Sequence, residues 1–99
     1  MIVYEVTMDV DADLVDAVEA YMRDEHIPDV VATGCFKQAE ILRSANRFQI
    51  RYSAETRSEL DRYLAEHTER LRAEVVGRYP TGIRSSREIW TEIETLTPA

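Results

Sequence analysis

The chain has 99 residues, with 12 Lys and Arg against 19 Asp and Glu, a formal net charge of −7, and a hydrophobic fraction of 44%. This length makes residues 1–99 a single domain, and the scattered acidic charge disfavours nucleic acid and anionic membrane surfaces, which call for clustered Lys and Arg. One cysteine, Cys35, excludes an intramolecular disulfide and, with no run approaching a membrane span, leads to the expectation of a cytoplasmic protein.

Residues 2–10 alternate Ile2, Tyr4, Val6, Met8 and Val10 with a more polar set, the period of a half-buried strand. Asp11 is expected to cap a helix whose apolar positions Leu14, Val15, Val18, Tyr21 and Met22 carry it to about residue 24. Pro28 disfavours helical conformation at Ile27 and suits the start of a new short helix, 28–32, which Gly34 ends in the left-handed region. A second strand is expected over about 35–43 and a third after the turn Ser44-Ala45-Asn46, with Phe48, Ile50, Tyr52 and Ala54 inward and Arg47, Gln49 and Arg51 outward. Thr56-Arg57-Ser58-Glu59 matches a capping box and opens one helix to about residue 76. Its apolar stripe includes Leu60, Tyr63, Leu64, His67, Leu71 and Val75. The last strand is expected over 84–96, with Ile89 and Trp90 on opposite faces.

The order β-α-β-β-α-β implies an α+β, ferredoxin-like βαββαβ fold, a four-stranded antiparallel sheet with two helices on one face. The other face is too polar for a dry core and suits a two-fold mate, which predicts a homodimer closing a dimeric α+β barrel. Three separated blocks resemble a family of short bacterial proteins known only as a domain of unknown function: Met1 to Val6, His26-Ile27-Pro28 through Thr33-Gly34-Cys35-Phe36, and Arg62 to His67. The resemblance implies the dimeric α+β barrel superfamily and brings no assigned activity. No catalytic motif of that superfamily can be placed on these residues.

His26 and His67 are expected to point from their helices toward the sheet, with Tyr4, Tyr52, Tyr63 and Trp90 lining the intervening space as ligand-binding surface. His26, expected at a helix C-terminus where the dipole favours imidazolium, is the one candidate catalytic acid or base. The alternative is structural: His26 satisfies backbone at the helix interruption, and His67 is a buried histidine held by a tyrosine hydroxyl. Cys35 near His26 suggests a thiolate pair, against which a cysteine between Gly34 and Phe36 is a small hydrophobe. Without His-x-His or Cys-x-x-Cys spacing no metal is expected, and no cofactor. Arg47 and Arg51, joined by Arg84 or Arg87, either hold an anion or pair with Glu5 and Glu40 across strands.

These residues support three readings. The first is a homodimer binding a small apolar or aromatic molecule in the helix–sheet cavity. The second is a cofactor-independent enzyme of monooxygenase or isomerase type using His26. The third is a structural or regulatory dimer without a ligand.

Overall fold

A computed structural model describes all 99 residues, Met1–Ala99. The sheet has the strand order β2-β3-β1-β4, formed by β1 (Ile2–Val10), β2 (Gln38–Ser44), β3 (Arg47–Ala54) and β4 (Ile83–Thr91), all antiparallel to their neighbours. Alternation decides which face is covered. Tyr4, Met8, Phe48, Ile50, Tyr52 and Ala54 are all buried on one side. The register places Glu5, Arg51 and Glu40 in one row on the other. The helices lie on the apolar side, where Val18, Met22, Val30, Leu60 and Leu71 are buried against the sheet residues in one hydrophobic cluster. This is the ferredoxin-like arrangement expected from the element order.

Several boundaries differ from expectation for identifiable reasons. Asp11 caps no helix. The chain turns first, with the Leu14 amide donating to the Asp11 carbonyl at 2.9 Å, and α1 (Val15–Tyr21) starts without a side-chain cap. Its aspartate instead takes the Arg84 guanidinium at 3.0 Å.

Pro28 does not break the first helix. The chain passes from α1 through a π turn, Met22–His26, into α2 (Ile27–Val31). Ile27 keeps helical angles, φ −63° and ψ −44°, and its amide donates to the Met22 carbonyl five residues back. In a regular α-helix the proline ring would press on the carbonyl four residues earlier. Widening the preceding turn relieves that contact, and the helix continues to Val31. Gly34 then takes φ +80° after the helix, as its position predicts.

The second long helix is two. α3 (Arg57–Glu66) begins at Thr56, whose side chain accepts from the Glu59 amide at 3.2 Å. α4 (Thr68–Arg78) follows after a break at His67, where φ is −126°. His67 and Thr68 are both weak helix formers, which places the break where it costs least. β4 stops at Thr91, which faces Ile2, and the last bond beyond it is Glu92 N–H to the Met1 carbonyl at 2.9 Å. Ile93 and Leu96 lie beyond the strand, 96% and 81% exposed.

Candidate functional site

α4 stands off the sheet over β1 and β4, and the space beneath it is a cavity of about 320 Å³. Its floor is the inward row Tyr4, Val6 and Met8 of β1 with Ile50 and Tyr52 of β3; α4 supplies Thr68, Arg72, Val75 and Val76. Ile83, Ser85 and Arg87 of β4 form one side, and Met22 and His26 close the end at the π turn.

The π turn explains how His26 arrives there. Met22 and His26 both reach the cavity although the helix then runs on to a proline. The His26 ring stacks on Tyr21 with centroids 6.1 Å apart. Its Nδ1 is buried and has no hydrogen-bond partner within the protein. Burial holds the imidazole below the ordinary histidine value; Asp29 and Glu74 pull it back up, and Arg87 adds to the depression. His26 is therefore neutral at pH 7, which corrects the expectation of an imidazolium favoured by a helix terminus. The helix does not end at His26, so no C-terminal dipole acts on it.

A pH profile follows from the sign of this shift. The unfolded chain takes up the His26 proton near the ordinary value of about 6.5, whereas the folded chain resists it. Stability from this group is full above that value and is lost as pH falls toward the folded pKa. Urea unfolding from neutral to mildly acidic pH should show the native protein losing more stability than His26→Gln. Parallel profiles would contradict the assignment.

The tyrosines form a connected wall. Tyr4 lies 6.2 Å from Tyr52 and 6.0 Å from Tyr63, and Phe36 packs behind both Tyr52 and Tyr63. Burial pushes the Tyr52 hydroxyl far above the usual tyrosine value. It also raises Tyr63, where Thr68 and Arg72 oppose the shift. Both hydroxyls stay protonated at neutral pH. Arg72 Nη2 donates to the Tyr4 hydroxyl at 2.7 Å.

Tyr4, His26, Tyr52 and Tyr63 thus share the cavity. His67 and Trp90 do not. His67, at the helix break, is not among the lining residues; its half-buried ring lies 6.2 Å from the Tyr63 ring, 3.8 Å from Glu66 Oε2 and 3.3 Å from Arg70. Trp90 pairs with Val3 on the opposite sheet face and is 49% exposed. Cys35 is buried and lines a different cleft, with Glu55, Glu59 and Arg62, so it makes no pair with His26 in the cavity. No three His, Cys, Asp or Glu side chains converge where a metal ion could be held. The outer-face arginines are ion-paired. Arg51 meets Glu5 at 2.9 Å and Glu40 at 3.3 Å, Arg47 meets Asp9 at 2.9 Å, and Arg84 meets Asp11 at 3.0 Å. Arg87 lies on the cavity side, one residue out of phase with Arg84 and Glu88.

Two cavity residues carried a readable but easily overlooked signal. Arg72 precedes Val75, Val76 and Tyr79 at helical spacings, and Arg87 shares strand parity with Ile83 and Ile89. A charge at such a position is ordinarily read as solvated surface.

The profile of the family described as "Domain of unknown function (DUF4286)" matches residues 1–93. The chain belongs to the DUF4286 family. The Met1–Val6, His26–Phe36 and Arg62–His67 blocks all lie inside this DUF4286 match. No curated protein sequence matches the chain. Among solved structures, the DUF4286 fold is similar to an antibiotic biosynthesis monooxygenase at TM-score 0.70 and 15% identity, covering 95% of this chain and 100% of the other. It is also similar to a Mycobacterium tuberculosis protein at TM-score 0.65 and 15% identity, over 98% and 100% of the two chains. A dimeric ferredoxin-like protein from an uncultured marine organism matches at TM-score 0.62 and 7% identity, over 99% and 100%. At these identities the likeness is one of fold. No helix is long and apolar enough to cross a membrane.

Proposed function

We infer that the chain is a homodimer that binds a small apolar or aromatic molecule in the cavity beneath α4. The observation that carries this reading is the cavity of about 320 Å³ walled by Tyr4, Tyr52 and Tyr63, with the His26 side chain at its end. His26 Nδ1 is shielded and unpartnered, a cost of about 1–3 kcal/mol that a turn of the ring toward a ligand hydroxyl or carbonyl would recover. The volume lies at the lower end for small-molecule sites, which fits a ligand of one or two rings. Tyr4, Tyr52 and Tyr63 supply the apolar walls, and His26 is the polar anchor.

Dimerisation is supported by the sheet face left without helices and by the exposed Trp90, Ile93 and Leu96. The structural neighbour described as dimeric shares the fold and supports the same assembly. A cytoplasmic location fits the single buried cysteine.

Equilibrium dialysis with methyl naphthoate, a neutral two-ring probe, tests the binding reading. Binding is expected in the native protein and lost in Ser85→Trp, which fills the cavity from β4; no binding, or binding undiminished in that variant, removes the reading. Light scattering at micromolar concentration should report two chains.

A second reading rests on the neutral imidazole. Held below its ordinary pKa, His26 is ready to accept a proton from a bound phenol or enol, with Tyr52 and Tyr63 as donors to an oxygen. If the cavity performs cofactor-independent chemistry of monooxygenase or isomerase type, His26→Gln abolishes turnover while sparing probe binding.

A further inference from the structure

The chain has 12 basic side chains, and ten of them stand within salt-bridge distance of a carboxylate. The two exceptions are Arg72 and Arg87, and both line the cavity beneath α4. They reach it from opposite walls, one on α4 and one on β4. None of the 19 acidic residues lines it. A chain of net charge −7 therefore keeps a carboxylate-free cavity around its only two Lys or Arg side chains without acidic partners.

Randomly placed arginines on so acidic a surface would meet carboxylates, as the other basic residues do. Arg72 is also positioned. Its Nη2 donates to the Tyr4 hydroxyl at 2.7 Å, which ties the guanidinium to the aromatic wall and leaves its other N–H groups unengaged. Arg87 makes no side-chain hydrogen bond or ion pair at all, yet its field reaches His26, Tyr52 and Tyr63, lowering the pKa of each. Thr68 Oγ1, buried on the same wall as Arg72, has no partner in hydrogen-bonding geometry.

We propose that the cavity recognises an anionic ligand, a small aromatic or apolar molecule bearing one carboxylate, with Arg87 and Arg72 holding the carboxylate and the tyrosine wall the ring. This rests on the binding reading above and sharpens it to a substrate class. A planar carboxylate matches the forked guanidinium through parallel N–H···O bonds. None of the chain's glycines lines the cavity, so it lacks the glycine-rich backbone cradle common in phosphate sites.

Calorimetric titration of naphthoate, methyl naphthoate and naphthyl phosphate at neutral pH separates the possibilities. Naphthoate is expected to bind at least about tenfold more tightly than its ester, about 1.4 kcal/mol, through its charge-assisted hydrogen bonds. Arg87→Gln should remove most of that preference, and Arg84→Gln on the outer face should leave the preference intact. Equal binding of acid and ester would overturn the carboxylate assignment and leave the cavity reading standing; no binding of either would overturn both. Tighter binding of naphthyl phosphate than of naphthoate, or a preference that survives both Arg87→Gln and Arg72→Gln, would also overturn it.

Discussion

Phe48→Ala should destabilise the fold by about 3–5 kcal/mol, the range for removing a fully buried aromatic side chain. Phe48 is 0% exposed and sits on the inward face of β3. It is paired with Met8 of β1 on one side and Arg43 of β2 on the other. The Arg43 guanidinium lies 5.6 Å from its ring centroid, and Arg43 is held over it by Asp16 and Glu19 of α1. Truncation therefore opens a void at the centre of the sheet and removes the surface on which a link between sheet and helix rests. Domains of this kind have net stabilities of about 5–15 kcal/mol, so the variant should be largely unfolded at modest urea. A midpoint shift equivalent to less than about 1 kcal/mol would show that the centre of the core lies elsewhere.

Gly82→Val is expected to cost about 2–3 kcal/mol, from backbone strain and a steric conflict acting together. Gly82 has φ +93°, a region that side chains with a Cβ rarely adopt, and an added Cβ would run into Leu14 Cδ1. Its carbonyl also accepts from the Asp11 amide at 2.9 Å, joining the start of β4 to the end of β1. Urea unfolding measures the cost. The accompanying readout is functional, since β4 carries Ser85 and Arg87 into the cavity and a displaced strand should weaken naphthoate binding. A variant as stable as the native chain would mean that the turn relaxes around the new side chain.

The sheet was legible because its signals are local and redundant. Phe48, Ile50, Tyr52 and Ala54 alternate with polar residues without exception, so a single assignment fits. Thr56 caps α3 as its spacing requires. The helices were less legible for a physical reason. Whether Pro28 ends a helix depends on whether the preceding turn widens, and neither outcome changes the apolar spacing enough to be read. The break at His67 left one expected ligand residue outside the cavity lining, and strand pairing put Trp90 on the opposite face. Of the expected site residues, Tyr4, His26, Tyr52 and Tyr63 reach the cavity. Arg72 and Arg87 became visible only through what surrounds them, because the absence of a carboxylate is a property of space and not of sequence order.

The π turn gives this helix a frame shift. Each residue in a helix advances the side-chain direction by about 100°, so one extra residue within Met22–His26 re-aims everything after it while leaving the earlier contacts of Val15 and Val18 untouched. Length here is thus a form of specificity. A single-residue deletion in this turn would convert the Ile27-to-Met22 bond to the ordinary four-residue spacing and bring the Pro28 ring back against a helix carbonyl.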